Sequence, residues 1–150
     1  MVALLGARGE ALPGAREAVA LARELGLKPA IASSSTMPVV SAALARLDIS
    51  ALVPVVQSAA VEPYGKPHPA VYLTTARLLG VSPTSCLAFE DSIAGTIAAK
   101  AARMTCVAVP DEQTRHRPEF GIADRVLDSM QKVDAAFYQQ LIAGESVAYR

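Results

Sequence analysis

Hydrophobic residues in this chain fall into short apolar runs that alternate with stretches repeating every three to four positions. The sharpest case runs from Cys86 to Pro110. Residues 86–89 are apolar on both faces and of strand length, as suits a parallel strand between two helical layers. The run stops at two adjacent carboxylates, Glu90 and Asp91. Ser92 stands where a helix takes its cap, and Ile93, Ile97, Ala101 and Met104 follow at helical spacing. Residues 105–109 form a second β-branched run, closed by Pro110. The pattern predicts a strand–helix–strand unit with its acidic pair at the carboxyl end of the first strand. In open parallel sheets that edge binds ligands.

The same alternation covers most of the chain. Pro13-Gly14 opens an amphipathic helix with Ala18, Val19, Ala22 and Leu25 on one face and Gly26 closing it. Residues 28–32 predict a strand running into Ser33-Ser34-Ser35-Thr36. Pro38 falls in the first turn of the next helix, which carries Val39, Val40, Ala43, Leu44 and Leu47. Residues 52–56 predict a third strand and 57–65 a polar loop. Lys66-Pro67-His68-Pro69 then precedes a helix over 70–79, ended by Gly80. Beyond Pro110 the sequence predicts a charged loop over 111–121 and a short edge strand over 125–127. A final helix, capped by Asp128 or Ser129, carries Met130, Val133, Phe137 and Leu141. Residues 1–12 form no complete element and read as the end of a helix with a linker, ahead of a core over 13–150. Strands alternating with helices predict an α/β fold, a doubly wound parallel sheet.

Composition narrows the partners. At 150 residues, 52% hydrophobic and 19% charged, the chain is a globular domain with a core. Basic and acidic residues balance at 14 each, which gives no electrostatic reason to expect nucleic acid or an anionic membrane. Cys86 and Cys106 lie inside predicted strands and read as core thiols in a reducing compartment. No apolar run reaches the ~18 residues of a membrane helix, and residues 1–6 lack the charged flank of a signal peptide. The expectation is a soluble, cytoplasmic protein.

If the strands are parallel, three polar features converge on one edge. Ser33-Ser34-Ser35-Thr36 offers hydroxyls and backbone N–H groups ahead of a helix, a phosphate-binding arrangement, although a serine run alone is also what a plain helix cap looks like. Lys66, between Gly65 and Pro67, offers a cation whose direction the prolines restrict. Glu90 and Asp91 offer hard oxygen ligands for a divalent cation such as Mg²⁺, although acidic residues also favour a helix N-terminus for its dipole. Hydroxyl, cation and metal-binding acid are together the inventory of a phosphoryl site. His68 reads as shaping its turn and His116 as solvated; neither has the company of a zinc site.

The series Ala-Ser-Ser-Ser, Lys-Pro-His-Pro-x-Val-Tyr and Glu-Asp-Ser-x-x-Gly resembles the second, third and fourth motifs of the haloacid dehalogenase-like hydrolases. The wording is most similar to the sugar-phosphatase and β-phosphoglucomutase branch, particularly the 2-deoxyglucose-6-phosphate and hexitol phosphatases. The resemblance runs from about Leu12 to Pro110 and more loosely to Val133. It implies that Ser33 and the Ser34 backbone N–H bind the phosphoryl group, with Ser33 and Lys66 serving catalysis and Lys66 holding both phosphate and nucleophile. It implies Mg²⁺ on Asp91 with Glu90 in support, and a small phosphorylated metabolite, a sugar phosphate, as substrate.

The departure is as informative as the match. The family's first motif, a strand ending in Asp-x-Asp that supplies nucleophile and general acid/base, occurs nowhere in this chain. The helical cap that selects the sugar is absent too, so the sequence resembles the carboxyl-terminal portion of such an enzyme and is expected not to turn over alone. In the family the first strand lies between those that here end at Ser33 and Glu90. The two exposed edges are therefore expected to pair directly, to accept a strand from another chain, or to leave the fold marginally stable. A non-catalytic phosphate- or Mg²⁺-binding remnant is the alternative function. A receiver-like or nucleotide-binding module lacks the Gly-x-Gly-x-x-Gly or Walker segment it would need.

Overall fold

The computed structural model describes residues 12–143. Its helices and strands are α1 (Ala15–Glu24), β1 (Ala30–Ser33), α2 (Met37–Arg46), β2 (Val55–Ser58), α3 (Ala70–Leu79), β3 (Leu87–Glu90), α4 (Ile93–Ala101), β4 (Thr105–Ala108), β5 (Arg125–Val126) and α5 (Ala135–Ile142). Every ladder is parallel. Among the described residues the strands form two groups, β1–β2 and β3–β4–β5, and no ladder joins β1 to β3. The α/β doubly wound architecture is as predicted. Direct pairing of the two edges is not adopted. The helix end and linker expected over 1–12 fall, but for Leu12, outside the described residues.

Helices on both faces hold the two groups together. On one face α1 packs Val19 with Ile31, Val40 and Leu44, and Ala18 and Ala22 with Phe89, Val107 and Tyr138. On the other, α3 and α4 bring Val71, Tyr72, Ala98 and Ala99 onto Ala32, Ala88, Cys106 and Ala108. Successive strand residues thus alternate between faces, and the two faces differ in size. The α1 face is built from Ile31, Phe89 and Val107, the α3–α4 face from alanines and a cysteine.

That asymmetry corrects one expectation. The predicted apolar stripe of α4 ran through Ile97 and Ala101, yet both are exposed. The buried face is Gly95, Thr96, Ala98 and Ala99. A sheet face lined by methyl-sized side chains draws the helix close, and only small residues fit the contact. Leu25 and Val39, expected in the core, are likewise exposed; each sits beside a buried neighbour, Ala22 or Val40, that makes the contact instead.

Two boundaries also move. The third apolar run does not become strand at residue 52: Ser50–Leu52 is a 3₁₀ turn, and β2 starts after Pro54, which has no N–H for a ladder. Gln57 and Ser58, expected in a loop, are the last residues of that strand. At the end of the chain Ser129 caps only a 3₁₀ turn, Met130–Lys132. The last helix is capped by Asp134, whose Oδ1 accepts from the Phe137 N–H at 2.8 Å. Met130 and Val133 therefore lie ahead of the last helix and not on it as expected, yet they join Phe137, Leu141 and Phe89 in one core cluster.

Gly14, at the N-cap of α1, has φ +87° and lies against the backbone of Met130 and Gln131, where a Cβ would stand 2.5 Å from the Gln131 nitrogen. Both the backbone angle and the contact require glycine. Cys86 and Cys106 are free and buried. Burial pushes both thiols up, that of Cys106 to about 12, so they are inert core residues. No helix among the described residues is long and apolar enough to cross a membrane.

Candidate functional site

The carboxyl ends of β1, β2 and β3 carry Ser33, Ser58 and Glu90, and the register that pairs Ser33 with Ser58 aligns the first two. Lys66 arrives from the segment after β2, through a cis peptide bond to Pro67. His68 accepts the Ala70 N–H on Nδ1 at 3.2 Å and packs its ring at a tilt against Tyr64 with centroids 4.8 Å apart, so it shapes the turn into α3. His116 is exposed.

Lys66 is the centre of the arrangement. Its Nζ donates to the Ala32 carbonyl at 3.1 Å, to the Tyr72 hydroxyl at 3.2 Å and to Glu90 Oε1 at 2.5 Å. Three acceptors meet the three N–H donors of an ammonium, so its hydrogen-bonding capacity is filled. Its side chain is 7% exposed and that of Glu90 1%. The ammonium therefore bridges the end of β1, next to Ser33, and the end of β3, next to Asp91.

Glu90 faces inward. Oε1 also accepts from the Tyr72 hydroxyl, and Oε2 from Ser92 Oγ at 3.3 Å. Burial pushes its carboxyl pKa up, and the neighbouring Lys66 pulls it partly back. The Tyr72 phenol is held well above its usual range, first by burial and then by the Glu90 charge. Gly95, in the first turn of α4, clears the space: a Cβ built there would fall inside the Glu90 carboxylate. Ser92 caps α4 as expected, accepting the Gly95 N–H at 3.0 Å.

The serine run is not a plain helix cap. Thr36 is the N-cap of α2 and its side chain makes no capping bond, whereas Ser33 Oγ accepts the N–H of Ser35 at 3.1 Å. Ser34 is exposed and Ser33 half-buried. Ser58, itself 1% exposed, donates to the Ser35 carbonyl at 2.7 Å and accepts the Ala60 N–H at 3.1 Å. It ties the turn after β1 to the end of β2.

The structure brings together Lys66, Glu90 and the backbone beside Ser33, with Asp91 just past the end of β3, and Ser34 on the solvent side. Tyr72 and Gly95 closed two of the quoted motifs but had no role of their own in the sequence reading, and Ser58 was read as loop. Gly95 carried a signal, since glycine in a helical first turn is unfavourable unless something approaches closely. So did Tyr72, since a phenol on a buried helix face needs a partner. Ser58 carried none.

A magnesium ion was expected on both carboxylates. Glu90 is engaged by Lys66, Tyr72 and Ser92. Asp91 is half-buried at the sheet edge. Among the described residues no three His, Cys, Asp or Glu side chains form a closed metal cage. Magnesium is commonly bound by one or two carboxylates, water and a substrate phosphate. Asp91, a half-buried carboxylate at this edge, is the type of donor such an open site uses.

A family model for haloacid dehalogenase-like hydrolases matches residues 2–103. The chain belongs to this family. It is 44% identical over 124 residues to hexitol phosphatase B of Escherichia coli K12, covering 83% of this chain and 56% of that protein. Among solved structures it is similar to β-phosphoglucomutase from Clostridium difficile, with a TM-score of 0.78 at 26% identity, covering 93% of this chain and 59% of that one. It is also similar to CbbY from Rhodobacter sphaeroides in complex with xylulose-1,5-bisphosphate, with a TM-score of 0.71 at 33% identity, covering 81% and 55%. This haloacid dehalogenase-like chain thus spans little more than half the length of these three relatives.

Proposed function

We propose that this chain carries the phosphate- and magnesium-binding part of a phosphatase that hydrolyses a small sugar phosphate. The observation behind this reading is the Lys66 ammonium, buried between the end of β1 beside Ser33 and the end of β3 beside Asp91. Ser33 and the Ser34 N–H would hold phosphate oxygens, and Lys66 would offset their charge from a low-dielectric position. Asp91 would hold Mg²⁺, which would neutralise charge on the phosphoryl group, and Glu90 would act through Lys66. The names of the relatives support a sugar phosphate as substrate. Two buried thiols support a reducing compartment such as the cytoplasm.

One observation favours a second reading. The sequence contains no Asp-x-Asp segment, and covalent phosphoryl transfer requires an attacking oxygen. The chain alone would then bind phosphate and Mg²⁺ without turnover. Calorimetry and p-nitrophenyl phosphate hydrolysis separate the cases. Wild type is expected to bind Mg²⁺ in the presence of orthophosphate, Asp91→Asn to bind it at least about tenfold more weakly, and hydrolysis to stay at background in both. Turnover abolished by Asp91→Asn would show that another residue of the chain acts as nucleophile. A wild type that binds neither ion would sink the site itself.

A further inference from the structure

Tyr72 is fully buried, on α3, with its hydroxyl turned toward the sheet edge. It donates to the same Glu90 oxygen that receives Lys66, and it accepts from Lys66 at 3.2 Å. The Lys66 nitrogen also lies 4.8 Å from the centre of its ring, within the range of a cation–π contact. The three groups close a ring of hydrogen bonds: ammonium to phenol, phenol to carboxylate, ammonium to carboxylate. Without the hydroxyl, one ammonium hydrogen loses its acceptor and the carboxylate one of its donors. The Ala32 carbonyl and Glu90 would remain, leaving an ammonium on a stem of four rotatable bonds with two acceptors instead of three.

We propose that Tyr72 is a positioning residue, whose hydroxyl fixes the Lys66 ammonium and the Glu90 carboxylate against each other so that the positive charge stays at the end of β1. The assignment rests on the phosphate site proposed above. Tyr72 makes no contact with phosphate or metal in this scheme; it sets the position of the charge that offsets the phosphate. Phenylalanine keeps the ring's packing, so Tyr72→Phe removes the hydroxyl alone.

The test uses the whole chain with isotope-labelled lysine ζ-nitrogens. Lys28, Lys100 and Lys132 serve as references, and Lys66→Arg identifies the Lys66 signal. In wild type the enclosed Lys66 ammonium is expected to exchange its hydrogens slowly enough to be seen. In Tyr72→Phe that exchange is expected to quicken by about tenfold or more, with the amide spectrum and the other lysines unchanged. Orthophosphate binding should weaken about tenfold, the equivalent of about 1.4 kcal/mol. An unchanged Lys66 signal in Tyr72→Phe would overturn the assignment. So would a changed signal with unchanged orthophosphate affinity. If Tyr72→Phe does not fold, wild type decides: Lys66 exchange as fast as that of the largely exposed Lys132 would mean that the site does not shield it. A wild type that binds no orthophosphate overturns the phosphate site, and the ammonium signal still tests what holds Lys66.

Discussion

The site rests on a buried ion pair whose two charges are nearly withdrawn from water. Burying a carboxylate and an ammonium together is costly unless the remaining lone pairs and hydrogens are met. Here Ala32, Tyr72 and Ser92 meet them, and no buried side-chain nitrogen or oxygen is left without a partner among the described residues. The phenols make the enclosure measurable. Burial raises the hydroxyls of Tyr72 and Tyr138 above the ordinary phenol value of about 10, with the Glu90 charge adding to the first. An acid whose folded value is raised stabilises the fold fully below its unfolded value, and this stabilisation is lost as pH rises through the folded value. Phenolate absorbance from these two residues is therefore expected to rise only above about pH 10, together with loss of the helical circular dichroism signal. Ionisation of every tyrosine well ahead of unfolding would mean that water reaches the Tyr72 hydroxyl.

At the level of elements, α4 shows how chemistry and packing constrain each other. Its first turn must pass the Glu90 carboxylate, and Gly95 is the residue that allows it. Gly95→Ala gains about 1 kcal/mol of helix propensity but overpacks the contact, which costs about 1–3 kcal/mol and more where a charged group must move. The expected net result is destabilisation of about 1–2 kcal/mol by chemical denaturation, with Lys66 displaced alongside Glu90. A stabilised Gly95→Ala would show that Glu90 has another place to turn. The same helix marks how far sequence could be read. Its existence, its Ser92 cap and the strands on either side follow from spacing and capping chemistry. Its buried face does not, because alanines, a threonine and a glycine carry almost no hydrophobic contrast, while Ile97, which has it, is exposed. Likewise Lys66, Glu90 and Asp91 stood out by type and order. The inward turn of Glu90 did not, since it depends on Tyr72, distant in sequence and close only in the fold.

For the molecule as a whole, the open question is the edge between β1 and β3. Among the described residues β1 has a single ladder, to β2, whereas β4 lies between β3 and β5. Amides of β4 are accordingly expected to exchange hydrogen at least about tenfold more slowly than those of β1, which one partner protects. Equal protection in β1 would reveal a strand on its other side. Dependence on protein concentration would assign that strand to a second copy, and independence to residues outside those described. Sequence could point to this edge only through resemblance, because an apolar run does not disclose which strand lies beside it.

Helices α1 and α5 meet directly. The Tyr138 hydroxyl on α5 donates to the Ala18 carbonyl on α1 at 2.9 Å, across 120 positions of chain, and Gly14 is pressed against the backbone at Met130 and Gln131. During synthesis α1 therefore leaves the ribosome long before the residues that complete its packing exist. Its inner face, with Phe89 and Val107, is sealed only when α5 has emerged. Until then the growing chain exposes an unfinished apolar surface. For a stretch of translation that surface is a natural client for a chaperone.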